Sequence, residues 1–171
     1  GLNFAAVWQA PLVVVVSNNQ WAISVPRSAQ TAAATLAQKA IAAGVEGVQV
    51  DGNDIVAVHH VARQALAKAR AGGGPTLIEA LSYRLGDHTT ADDAARYRDP
   101  AVVQEQWSFE PLTRLRNYLV KLGAWGPDKE EALAHDCAET VNAGVEAYLA
   151  TPPPTTAAMF EHLFATLPAA L

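Results

Sequence analysis

Two short stretches of this sequence carry side chains suited to chemistry as well as to packing. The first is Asn18-Asn19-Gln20-Trp21. An asparagine amide oxygen is a neutral, hard ligand for magnesium or calcium, and a main-chain carbonyl beside it can add a second. Paired asparagines also accept left-handed backbone angles in an ordinary turn, so a purely structural role competes with this one. The second stretch is Tyr83-Arg84-Leu85-Gly86-Asp87-His88-Thr89-Thr90, which supplies a cation, a glycine bend and a histidine. A histidine there could donate to a phosphate or shuttle a proton near neutral pH. The competing reading is a surface histidine paired with Asp87. Beyond it, Asp92-Asp93 with Arg96 and Arg98 reads as a self-paired charged loop.

The elements around these clusters follow from the hydrophobic pattern. Residues 12–16 are a β-branched run behind Pro11, apolar on both faces, as in a buried parallel strand. Residues 28–43 are alanine-rich, with Ala33, Leu36, Ala37, Ala40 and Ile41 on one face, and predict a helix stopped by Gly44. Residues 48–50 read as a second strand. Asp54 then caps a helix through Ile55, Val58, Val61, Leu66 and Ala69 that ends at Gly72-Gly73-Gly74. Residues 76–82 form the third strand. Strand and helix alternate as in an α/β unit with a parallel sheet. The segments 18–26, 51–54 and 83–100 therefore leave one edge of the sheet, where ligands of open α/β sheets bind. Every chemically interesting cluster lies in one of those segments.

From 101 onward the pattern is helical, with helices expected over 101–106, 112–122, 128–149 and 156–167. Pro152-Pro153-Pro154 is a rigid spacer. The last helix carries Met159, Phe160, Leu163 and Phe164, an apolar stripe suited to docking a partner. This divides the chain into an α/β domain, 1–100, and a helical extension, 101–171. The remaining candidates are weaker. Asp51 resembles an acid that binds a ribose, but no glycine-rich fingerprint precedes the first helix. His59 and His60 are adjacent and cannot share one helix face. His135 and His162 stand alone and exposed, and Cys137 is assigned to core packing.

Half the residues are hydrophobic and 17% are charged, a globular composition. A net charge of -5 argues against nucleic acid or an anionic membrane as partner. It also means that a phosphate-bearing ligand would need a divalent cation or converging local cations. No apolar run is long enough to cross a bilayer. A single cysteine excludes an internal disulfide and fits a reducing, cytoplasmic setting. Gly1-Leu2-Asn3-Phe4 opens within a helical pattern made by Leu2, Ala5, Ala6 and Gln9, as expected of a fragment or processed product.

The chain resembles the alpha subunits of thiamine-diphosphate-dependent 2-oxoacid dehydrogenases, pyruvate dehydrogenase type, over nearly its whole length. The likeness is carried by residues 1–8, Asn18-Asn19-Gln20-Trp21-Ala22-Ile23-Ser24, Gln30-Thr31 with Leu36-Ala37-Gln38-Lys39-Ala40, Val50-Asp51-Gly52-Asn53-Asp54, Thr76-Leu77-Ile78-Glu79-Ala80, and 83–98. It implies a partial three-layer thiamine-diphosphate-binding fold in a carboxy-terminal fragment, with the Gly-Asp-Gly half of the cofactor motif ahead of Gly1. On this resemblance Asn19 ligates Mg2+ through its side chain and Trp21 through its main-chain carbonyl. Ala22 and Ile23 contact the cofactor, Ile23 as the apolar wedge beneath it. His88 faces the diphosphate or the reacting centre and is the catalytic candidate.

Arg84, Asp92, Tyr97 and Arg98 then belong to a loop that shapes the entrance and meets a lipoyl-bearing partner. Ser17 stands where some members place an arginine facing the phosphates. Thr89 stands where animal members carry a regulatory serine, which argues against kinase control of that type. The implied reaction is decarboxylation of pyruvate on thiamine diphosphate followed by reductive acetylation of a lipoyl group. A beta subunit supplies the acid/base glutamate, in an assembly of two alpha and two beta chains. Three other readings compete: a branched-chain 2-oxoacid or acetoin enzyme, a non-catalytic assembly fragment, and a generic nucleotide-binding α/β domain.

Overall fold

The computed structural model describes residues 1–161, 163–166 and 168. The valine run begins β1 (Val13–Asn18). Two very short strands, β2 (Trp21–Ala22) and β3 (Val25–Pro26), follow as a tight antiparallel hairpin that the pattern did not announce. β4 (Glu46–Asp51) and β5 (Thr76–Leu81) complete a sheet of order β1-β5-β4 that is parallel throughout. The parallel α/β expectation holds. Asn18 and Asp51 both stand level with Leu81, so the segments beyond all three strands leave the same edge.

Alternation along the central strand sorts the core into two faces. Leu77 points to one face and packs with Ala37, Ala40 and Val45, joined by Leu2 and Ala6 of α1 (Leu2–Val7). Ile78 points to the other and packs with Val50 and Ala65, joined by Val58 and Val61 of α3 (Ile55–Arg70). Burying such side chains contributes roughly 1.5–3 kcal/mol each. Asp54 caps α3 as expected, its Oδ1 accepting from the Val56 N–H at 3.0 Å and the Ala57 N–H at 3.1 Å.

The continuous helix expected over 28–43 does not form. A four-residue turn, α2 (Arg27–Gln30), gives way to extended backbone at Thr31 and then to a 3-10 helix, Ala37–Ala43, ended by Gly44 at φ 69°. Three side chains satisfy the backbone outside regular helix. Arg27 donates to the Ala33 carbonyl at 2.9 Å, Thr31 accepts from the Ala33 N–H at 3.2 Å, and Glu79 accepts from the Ala37 N–H at 2.9 Å. Such bonds let a chain of good helix formers abandon the helix.

The 3-10 segment also lies hard against β4. A Cβ on Gly47 would sit 2.4 Å from the Ala37 carbonyl oxygen. Gly47→Ala is therefore expected to cost about 1–3 kcal/mol, because backbone has to move. Urea unfolding would measure that loss; a variant as stable as wild type would refute the close packing.

α4 (Pro100–Trp107) and α5 (Pro111–Lys121) match their expected helices. They belong to the first of two compact units, Gly1–Leu122, so the shift to helical pattern at 101 does not coincide with the boundary between units. The second unit, Gly123–Leu171, contains α6 (Pro127–Ala150), which has no buried residue. Cys137 lies exposed on α6 and is not core packing. His135 is exposed as expected but has a neighbour, Glu139, at 3.5 Å.

The final helix is shorter than expected, a 3-10 turn at Thr156–Met159. Met159, Phe160, Leu163 and Phe164 are exposed beyond and within it, while His162 and Leu167 lie outside the described residues. So short a helix, without a packed face, is marginal in water. Among the described residues no helix is long and apolar enough to cross a membrane.

Candidate functional site

The end of β1 is shaped by its two asparagines. Asn18 is buried, donates from Nδ2 to Glu79 Oε1 at 2.6 Å, and accepts at Oδ1 from the Gln20 side chain at 2.9 Å and the Gln20 N–H at 3.2 Å. Asn19 Oδ1 accepts from the Trp21 N–H at 3.0 Å. Gln20, between them, sits at φ 70°. The structural role of the pair is therefore real, and it leaves a second lone pair free on the Asn19 amide oxygen.

The hairpin supplies another oxygen. Trp21 pairs with Pro26, and the neighbouring cross-strand bond runs from the Arg27 N–H to the Gln20 carbonyl at 2.8 Å. Trp21 thus occupies a site outside the ladder, and the N–H and C=O of one strand residue face the same edge. The Asn19 amide oxygen, held by the Trp21 N–H, lies on the edge from which the Trp21 carbonyl projects.

At the hairpin tip Ile23 adopts φ 56° and is 56% exposed. A β-branched residue in the left-handed region is a genuine outlier, and such strain marks functional sites. Its carbonyl accepts from Arg84 Nη2 at 2.8 Å, and the same nitrogen donates to the Tyr97 hydroxyl at 2.7 Å. Tyr97 donates in turn to Asp92 Oδ2, which also accepts from the His88 N–H at 2.8 Å. The Tyr97 hydrogen bond, with that from His88, holds the Asp92 carboxyl below its ordinary range. Trp21 and Tyr97 rings pack 5.6 Å apart.

Arg98, buried, donates to the carbonyls of Arg84 and Gly86, the latter at 2.9 Å. The loop expected to pair its own charges is instead cinched by an arginine that captures main-chain carbonyls. Asp93 caps the 3-10 turn Ala94–Arg96. Hairpin and loop interlock, and Arg84 Nε and Nη1 remain buried without a partner among the described residues.

Asn19 and Trp21 line a cavity of about 260 Å3, together with Ser17, Thr31 and the cations Arg27 and Lys39. Ala22, Ile23 and His88 are exposed and do not line it. His88 is joined to the hairpin through Asp92, Tyr97 and Arg84, and its pairing with Asp87 does not form; Asp87 accepts from the Ala94 N–H at 3.1 Å. Asp51 is engaged elsewhere. Arg114 of α5 bonds it at 2.7 Å and reaches Asp54 at 3.3 Å, so the carboxylate ties α5 to the sheet edge and is not free for a ribose. Among the described residues no group of three or more His, Cys, Asp or Glu could hold a metal by itself.

The residue that sequence reasoning missed is Glu79. A carboxylate inside an otherwise apolar strand was the available signal. Burial pushes its pKa up, but bonds from Ala37, Asn18, Leu36 and Gln49 outweigh burial and hold it below the ordinary 4.5.

A sequence profile described as dehydrogenase E1 component matches residues 1–156. The 3-methyl-2-oxobutanoate dehydrogenase subunit alpha of Mycobacterium tuberculosis (strain ATCC 25618 / H37Rv) is 55% identical over 130 residues, 76% of this chain and 35% of that protein. The pyruvate dehydrogenase E1 component subunit alpha of Staphylococcus aureus (strain N315) is 44% identical over 169 residues, 98% of this chain and 46% of that protein. The chain thus spans less than half the length of these curated relatives.

Proposed function

Because this chain belongs to the family of dehydrogenase E1 components, we propose that it serves the oxidative decarboxylation of a 2-oxoacid with thiamine diphosphate and magnesium, as part of an alpha subunit. What supports the reading is one cavity lined by Asn19, whose amide oxygen accepts from the Trp21 N–H, by Trp21 itself and by two cations. Neutral oxygens suit a magnesium ion that keeps phosphate oxygens and further ligands in its shell. An ion of this kind, with Arg27 and Lys39 in the same cavity, offsets the charge of a diphosphate on a chain of net charge -5.

When bound, thiamine diphosphate supplies the carbon nucleophile and the electron sink that loss of carbon dioxide requires. The residues of this chain position it. Asn19 and Trp21 would hold the metal, Ala22 and Ile23 would present the strained apolar tip of the hairpin to the cofactor, and His88, outside the cavity of Arg27 and Lys39, would serve the reacting centre from the interlocked loop. A beta subunit completes the site with an acid/base glutamate, and a lipoyl domain accepts the acyl group.

Pyruvate is the first substrate reading, supported by the relative matched over 98% of this chain. A branched 2-oxoacid is the second, supported by the 55% identity to the 3-methyl-2-oxobutanoate enzyme. The full-length subunit, assembled with its beta partner, is expected to acylate a lipoyl domain only with magnesium and thiamine diphosphate. The two acids differ by two methyl groups, and one such carbon alone discriminates by roughly 10–200-fold in kcat/KM, so the ratio for the two acids identifies the substrate. Absence of turnover with both acids, in an intact assembly, would favour a non-catalytic assembly role.

A further inference from the structure

Glu79 is fully buried on the central strand, at 0% exposure, yet it stands on the face of β5 that carries Leu77 in the core. Its Oε1 takes the Asn18 amide at 2.6 Å, and its Oε2 takes the Ala37 N–H at 2.9 Å and the Gln49 amide at 3.2 Å. These donors come from three different places: the end of β1, the start of the 3-10 helix and the middle of β4. Two of the three lead into the cavity. Asn18 orients Gln20, and through that turn the Asn19 and Trp21 oxygens; Ala37 fixes the segment whose neighbours Leu36 and Lys39 form the opposite wall. Gln49 leads away from it and is absent from the lining. An acid held by three donors inside the core is a rigid pin, because each donor would be left unpaired if it moved.

We propose that Glu79 is a positioning residue, whose buried carboxylate holds the two walls of the cavity at the spacing that lets Asn19 and Trp21 share one metal ion. It touches neither the ion nor the cofactor. This rests on the cofactor reading given above, and the test keeps the two separable.

Magnesium-dependent binding of thiamine diphosphate is measured by calorimetry on the full-length subunit assembled with its beta partner. Wild-type protein without magnesium-dependent binding would sink the cofactor reading itself. Given wild-type binding, Glu79→Gln should weaken it about tenfold or more, because an amide places a donor where a donor already points. Asn18→Ala should do the same, and the double variant should be little worse than either, as expected of residues acting through one contact.

Gln49→Ala is the control. It takes one side-chain donor from the same carboxylate but leads to neither wall, so affinity should stay within about twofold even where the melting temperature falls. Wild-type affinity in a folded Glu79→Gln protein would overturn the proposal, as would additive losses in the double variant. Should Glu79→Gln fail to fold, the contrast between Asn18→Ala and Gln49→Ala decides: equal losses overturn the proposal, and a loss confined to Asn18→Ala upholds it.

Discussion

Asn19→Ala is expected to weaken magnesium-dependent thiamine diphosphate binding about tenfold or more, equivalent to roughly 1.4 kcal/mol. The substitution removes the amide oxygen that the proposed site gives the ion, and an octahedral ion tolerates a missing protein ligand poorly. It also frees the Trp21 N–H, whose bond to Asn19 keeps the Trp21 carbonyl in place. Asn19→Asp separates these effects, because the aspartate keeps an oxygen for both tasks. Calorimetric titration of the full-length assembly should find the aspartate variant close to wild type. Equal affinity in the alanine variant and the wild type would remove Asn19 from the metal's shell.

Glu79→Leu is expected to lower the unfolding free energy, read from urea denaturation, by about 1–3 kcal/mol for each buried donor left unpaired. Leucine fills much of the volume but leaves the Asn18 amide, the Ala37 N–H and the Gln49 amide without an acceptor inside the core. The acid dependence gives a second signature. The folded protein holds the carboxyl below 4.5, so the unfolded chain takes up the proton first and the stability Glu79 lends is present above that value. As pH falls further, wild type should lose stability and approach the leucine variant. A gap between the two that stayed constant from neutral pH into strong acid would mean that folding does not shift the Glu79 carboxyl from its ordinary range.

The sheet was legible because its signals are local. A valine run, a helix cap at Asp54 and glycines at both helix ends predict strands and helices without knowledge of their neighbours, and parallel pairing places the three connecting segments at one edge. What escaped depends on contacts distant in sequence. Residues 28–43 have helical periodicity, yet Glu79, more than thirty residues away, captures the Ala37 N–H and the close approach of Gly47 fixes where the 3-10 turn lies. The hairpin escaped because two-residue strands have no period to read. Arg98 looked like half of an ion pair, but only the folded loop brings the carbonyls of Arg84 and Gly86 around it. At the site, Asn19 and Trp21 could be read as candidate donors; that they line one cavity with Arg27 and Lys39 required the folded chain.

The left-handed backbone at Ile23 lowers the durability of the hairpin. A β-branched residue at φ 56° costs on the order of 1–2 kcal/mol that a glycine would not. A screen for heat resistance alone would therefore tend to enrich Ile23→Gly, a change that relaxes the hairpin and erases its apolar tip. A chain with isoleucine there is less robust than its glycine variant by about that amount.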